Sequence, residues 1–135
     1  MFSRRLLGIP ALLAGLLSFV APSHAIDLNG RWSSDPALCD KIFVKKGKQV
    51  VFSELSDLYG SGFIIEGNRI RGKVARCTIK SRKEEGDTLR LSATCATIIA
   101  PQDLELSLQT VDDNTVARLF PGSSAMRVDF HRCPP

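Results

Sequence analysis

A chain of 135 residues with a formal net charge of +4 has room for one domain with a modest core. Two of its 18 basic residues, Arg4 and Arg5, fall in an export leader, and without them 16 basic side chains face 14 acidic ones, a balance of +2. So mild an excess, with no nucleic-acid motif beside it, excludes a nucleic-acid partner.

Residues 1–25 carry the three parts of a secretory signal: basic Arg4 and Arg5, an apolar run over 6–20, and small residues ahead of and at Ala25. Cleavage after Ala25 leaves 110 of the 135 residues as a single β-barrel domain over 26–135. The apolar run of 15 residues contains Pro10 and falls short of the roughly 20 needed to span a bilayer, so an integral membrane anchor is not expected. No cysteine follows the small residues, which argues against a lipid-modified N-terminus. Ser3-Arg4-Arg5-Leu6-Leu7 resembles a twin-arginine signal, although general secretion explains it equally well. The protein is expected to be periplasmic or secreted.

The exported chain starts with a strand around Leu28-Asn29-Gly30-Arg31-Trp32, which holds the only tryptophan. Asp35 followed by Pro36 is an N-cap and first-turn pair for one helical turn. Ile42, Val44, Val50 and Phe52 then read as one face of a hairpin with Lys46-Gly47-Lys48 at its tip. Residues 54–62 break the alternation and form the one longer loop. Gly67-Asn68 marks a two-residue turn that sets Ile65 against Ile70 and Glu66 against Arg69. Ile70, Gly72 and Val74 share a face, but Cys77 and Ile79 have the opposite parity, so a bulge or bend is expected between Gly72 and Arg76.

With Glu85-Gly86-Asp87 as the next tip, Lys83 lies opposite Leu89, Ile79 opposite Ala93 and Cys77 opposite Cys95. The same register gathers Cys77, Ile79, Leu89, Leu91, Ala93 and Cys95 on one face. Leu104, Leu106 and Leu108 alternate in the following strand, and a turn at Asp113-Asn114 sets Leu108 against Leu119. After Pro121-Gly122-Ser123-Ser124, Leu119 meets Met126, Ala117 meets Val128 and Thr115 meets Phe130. The pattern predicts an all-β fold, a small antiparallel up-and-down barrel of eight or nine strands; the alternative is a two-sheet sandwich.

Four cysteines in a small exported chain point to two disulfides. Their spacings of 38, 18 and 38 residues lack the close pairs of a zinc site, and no metal or other cofactor is expected. Four cysteines allow three connectivities; the hairpin register pairs Cys77 with Cys95 and, by elimination, Cys39 with Cys133. The latter bridge joins the segment after the first strand to the end of the last, which are neighbours only if the sheet closes.

Gly30-Arg31-Trp32 on the opening strand resembles the G-x-W signature of the calycins, the group that holds lipocalins, avidins and bacterial periplasmic metalloprotease inhibitors. The chain is also similar to small exported proteins of Gram-negative bacteria with a tryptophan and then a cysteine early in the mature chain. The calycin resemblance implies that Trp32 plugs one end of the barrel while a basic side chain from a late strand, Arg127 or Arg132, crosses its ring. Two departures stand out. Lipocalins are longer, so the departure in length points to a barrel filled by its own side chains rather than hollow. The inhibitors use an N-terminal tail, whereas only residues 26–29 precede Gly30 here.

Catalytic chemistry finds little to build on. The mature chain's one histidine, His131, has no nucleophile elbow beside it; Asp112-Asp113 is turn chemistry; Tyr59-Gly60-Ser61-Gly62 lacks the strand and helix of a phosphate loop. No enzyme is expected. Arg69, Arg71, Lys73, Arg76 and Lys80, with Arg82 and Lys83, make a basic face, read either as a solvated, edge-protecting surface or as a site for an anionic surface such as lipid phosphates. Leu55, Leu58 and Tyr59 in the long loop are the candidate rim for a ligand or partner. The composite expectation is a monomeric, non-enzymatic binding module for a small apolar ligand, with an interaction module for an envelope protein, such as a protease inhibitor, as the alternative. Edman sequencing of exported protein is expected to begin at Ile26; a start elsewhere overturns the leader assignment.

Overall fold

The computed structural model describes residues 26–120, 122 and 126–135, with isolated positions 15 and 17–19. The leader otherwise lies outside the described residues, as do Pro121, Ser123 and Ser124 of the expected last turn. The strands are β1 (Gly30–Ser33), β2 (Phe43–Lys46), β3 (Gln49–Phe52), β4 (Gly62–Glu66), β5 (Arg69–Arg71), β6 (Arg76–Glu85), β7 (Thr88–Ala96), β8 (Pro101–Asp112), β9 (Thr115–Leu119) and β10 (Arg127–Arg132). Eight of them close in the order β1-β10-β9-β8-β7-β6-β5-β4, every contact antiparallel, while β2 and β3 form a separate two-stranded sheet. The protein is therefore a small antiparallel barrel and not a sandwich.

Because the barrel meanders, alternate turns lie at the same end. The turns at 67–68, 86–87 and 113–114 gather with the segment 26–29 at one end, and those at 72–75 and 97–100 at the other. Between β1 and β2, Asp35 Oδ1 accepts from Ala37 N at 2.9 Å and starts a 3-10 turn, Pro36–Leu38, that runs into the single helical turn α1 (Cys39–Ile42). That helical turn shifts the following hairpin by one residue from its expected register. Phe43 faces Phe52 and Lys45 faces Val50, so Phe43 is buried where Val44 was expected and Val44 is exposed.

Two bulges make similar corrections. The β6–β7 pairing sets Cys77 opposite Cys95 and Ile79 opposite Ala93 as expected, then slips at Lys80. Beyond the slip Glu84, not Lys83, meets Leu89, and Arg82 meets Leu91. A second slip at Val111 sets Leu108 against Arg118 and Ser107 against Leu119. Across β9–β10, Val128 meets Arg118 and Phe130 meets Val116, again one residue from the expected pairing. An extra residue on one strand of a pair reverses the face that later residues present, and it gives the added bend a small barrel needs. Between Gly72 and Arg76 the chain does more than bend: Gly72 N donates to Ala75 O at 2.8 Å and the strand reverses, leaving Val74 exposed rather than on the inner face. The β4–β5 hairpin pairs as expected, although the Glu66 carboxylate bonds Arg71 at 2.9 Å and not Arg69.

The interior is filled from all sides by Leu28, Trp32, Ile65, Ile70, Leu91, Leu108, Val116 and Phe130, among others. A second, outer core of Cys39, Ile42, Phe43, Ile64 and Cys133 forms where β2 and β3 cover the outward face of β4. Gly62 permits this close approach, since a Cβ there would lie 2.7 Å from Trp32 O and 2.9 Å from the Phe43 ring. The two disulfides are Cys77–Cys95 and Cys39–Cys133. The first lies inside one hairpin; the second closes a loop of almost the full domain. In the chain-entropy model, replacing Cys39 and Cys133 together by alanine is expected to lower stability by about 5 kcal/mol and replacing Cys77 and Cys95 by about 3 kcal/mol. Urea unfolding of the two double variants checks the order; equal losses would contradict it.

Candidate functional site

One end of the barrel is shut by a cation lying on the tryptophan. Trp32 has no exposed surface, and its Nε1–H donates to Leu28 O at 2.9 Å. The Arg132 guanidinium sits 4.4 Å from the indole centroid, close enough for the electron-rich ring face to attract it. Its nitrogens donate to Asn29 O at 2.6 Å, Asp27 O at 2.6 Å and Asp113 O at 3.2 Å. Asn29 Oδ1 in turn accepts from Gly67 N at 2.7 Å. The segment 26–29 is thereby drawn across the barrel floor. Gly30 turns it into β1 with a φ of 133°, a conformation L side chains avoid, and a Cβ there would lie 3.3 Å from Arg132 Nη1. Of the two candidate arginines it is Arg132 that meets the ring; Arg127 pairs with Asp129 at 2.9 Å.

At the other end the interior is open. A cavity of about 240 Å³ is lined by Phe63, Ile65, Ile70, Leu104, Leu106 and Phe130, with Ser61, Gly62 and Gly72 toward its mouth. Its floor is aromatic: Phe63 meets Phe130 edge-on at 4.9 Å and stacks with Trp32 at 6.3 Å. Around the mouth, turn residues present apolar side chains to solvent: Val74, Ile98, Ile99 and Met126, with Ile98 and Ile99 about nine-tenths exposed. One lining residue is charged. Arg118 stands opposite Leu108 and next but one to the buried Val116, so it shares their inward face. Its guanidinium lies 4.8 Å from the Phe120 centroid, and among the described residues no carboxylate pairs with it.

The expected rim residues lie elsewhere. Leu55, Leu58 and Tyr59 flank the 3-10 turn Ser56–Leu58 and do not line the cavity. Residues 53–61 return the chain from the outer hairpin to the start of β4, and of them only Ser61 reaches the cavity lining. Lys73 Nζ holds the segment, bonding Glu54 O at 2.7 Å and Asp57 Oδ2 at 2.9 Å, and Lys41 Nζ lies 5.8 Å from the Tyr59 ring. Lys73 and Arg71 of the basic face thus act as staples, Arg71 bonding Glu66 and the Val50 carbonyl. Arg69 and Arg76 point outward on β5 and β6, and Lys80 stands at the bulge. His131 faces away from the cavity on β10, where its neighbour Phe130 faces in.

A smaller hollow of about 200 Å³ lies at the closed end, between Ile26, Leu28, Leu89 and the inward Arg82 and Glu84. At its edge Gln109 Nε2 donates to Asp87 Oδ2 at 3.0 Å, and that bond holds the Asp87 carboxyl below its ordinary pKa. Among the described residues no helix is long and apolar enough to cross a membrane. The pair of disulfides is consistent with an oxidising compartment.

In comparison with known proteins the chain matches no family model, no curated protein and no solved structure.

Loss of the Arg132 guanidinium removes both the ring contact and the bonds to three carbonyls. Arg132→Met is expected to cost about 2 to 3 kcal/mol in urea unfolding and to shift the fluorescence of the single tryptophan. Arg127→Met, which breaks only a surface pair, is expected to change stability by less than about 1 kcal/mol. Equal effects of the two would remove Arg132 from its place as the closing residue.

Proposed function

We propose that this protein is an exported, non-enzymatic binding module of the calycin kind, which takes a small apolar ligand into the cavity between β4, β5, β8 and β10. The observation that carries the reading is the apolar cavity at the end of the barrel opposite the contact of Trp32 with Arg132. A barrel only needs to be filled to be stable, and an unfilled apolar volume forgoes contacts at a cost in stability. At about 240 Å³ it exceeds the roughly 150 Å³ that accommodates a benzene-sized molecule and falls below the usual range for drug-sized ligands. The ligand is therefore small, or inserts only one arm. Gly30-Arg31-Trp32 with Arg132 across the ring is the arrangement that the calycin resemblance implies, and it supports the same reading.

A second reading, an interaction module for an envelope protein, draws on the exposed Val74, Ile98, Ile99 and Met126 at the mouth. It needs a route other than an N-terminal tail, because Arg132 bonds the carbonyls of Asp27 and Asn29.

Titration with decanol, followed by amide NMR shifts, is expected to perturb Phe63, Ile70, Leu106 and Phe130 and to leave Leu55, Leu58 and Tyr59 unmoved. Leu106→Trp, which fills the volume, is expected to abolish those shifts at a stability cost of about 1 to 3 kcal/mol. Shifts that survive Leu106→Trp, or none in the unmodified protein, would refute the cavity as a ligand site.

A further inference from the structure

We infer that the ligand is an amphipathic anion, an alkyl or acyl chain ending in a carboxylate or phosphate, with its head on Arg118 and its chain in the cavity. The inference rests on the cavity being a ligand site. Arg118 is the charged member of an otherwise apolar and small-residue lining. Its inward direction follows from its pairing with Leu108 on one side and Val128 on the other, both residues that pack with the interior core. A guanidinium cannot give up its proton, so it stays charged wherever it is placed. Burying such a charge without a partner is costly, and proteins ordinarily place a carboxylate beside it.

Among the described residues no carboxylate fills that position. Asp129, the acid on β10 nearest in register, faces Ala117 and is engaged by Arg127 at 2.9 Å. The Phe120 ring, 4.8 Å away, backs one side of the guanidinium without neutralising it. Arg118 is only half-buried, so solvent reaches it while the cavity is open. A neutral ligand would displace that solvent and leave the charge unpaired, whereas an oxyanion replaces it with a charge-assisted, planar pairing. A cationic head is opposed directly. The polarity of the site also orients the ligand: Phe63 and Phe130 at depth offer only apolar contact, and Arg118 lies on the strand that leads out to the mouth.

The test is calorimetric titration of the mature, disulfide-bonded protein with decanoate, decyl phosphate, decanol and decylamine, each below its micelle concentration. One oxyanion or both are expected to bind about tenfold to a hundredfold tighter than decanol, with decylamine weakest. The better of decanoate and decyl phosphate identifies the head group. In Arg118→Met the preference is expected to vanish while decanol binding persists, and Arg118→Lys is expected to keep part of it. Equal binding of decanoate, decyl phosphate and decanol to the unmodified protein would overturn the role of Arg118 and leave the apolar site intact. An oxyanion preference that survives Arg118→Met would overturn it as well, pointing to another cation. Failure of all four to bind would remove the cavity reading itself, and the inference with it. The comparison among ligands on the unmodified protein stands even if a variant does not fold.

Discussion

The contact between Arg132 and Trp32 is the constraint on which the rest of the barrel depends. It joins a side chain from the last strand to one from the first, and so operates across the seam where the sheet closes. The same guanidinium gathers carbonyls from the N-terminal segment and the β8–β9 turn, so elements far apart in sequence meet at one planar cation. Arginine suits the position because its flat face lies on the indole while its edge donates in several directions, a combination lysine lacks. The next residue, Cys133, is fixed by its disulfide and by its N–H bond to Arg31 O at 2.7 Å. Ring contact, covalent bridge and backbone bond therefore pin the seam together.

What lies at the other end is set by parity. Small barrels bend by inserting single residues, and each insertion exchanges the inward and outward sets beyond it. The slip at Val111 turns the half-buried Arg118 toward the cavity, and the slip at Lys80 turns the exposed Arg82 and Glu84 toward the hollow at the closed end. The polar members of the two hollows are consequences of two extra residues in otherwise regular hairpins. A cavity edged by one cation differs chemically from one that is wholly apolar, so a shift of one residue changes the chemistry of the interior.

The outer hairpin explains why Leu55, Leu58 and Tyr59 of the long loop stand away from the cavity. Phe43 and Phe52, 5.1 Å apart, pack beside Ile64 on the outside of β4, and Gly62 leaves the space for them. A chain that has left the barrel wall must return to it, and residues 53–61 do so under the hold of Lys73. Part of the basic face is thus occupied with holding the hairpin and loop in place. Gly72 and Ala75 of the turn at 72–75 border the cavity, while the exposed Val74 and Ile98 of the turns at that end lie along a groove beside the outer hairpin.

Local alternation, turn residues and cysteine placement pointed to an all-β chain, to an antiparallel barrel with a sandwich as the alternative, and to the pairings Cys77–Cys95 and Cys39–Cys133. The Ile65–Ile70 hairpin is a short-range pairing whose turn sets the register, whereas Cys77 meets Cys95 through shared parity that the bulge at Lys80 restores. The calycin resemblance narrowed the ring-crossing cation to Arg127 or Arg132 but not to one, since both stand near the ends of the same strand. Only the tertiary structure decided that choice, the inward turn of Arg118 and the sideways course of Leu55, Leu58 and Tyr59. A bulge leaves no mark in an alternating pattern beyond a change of phase, and a loop's destination depends on packing between elements distant in sequence. Those are the features that give the cavity its mouth and its charge.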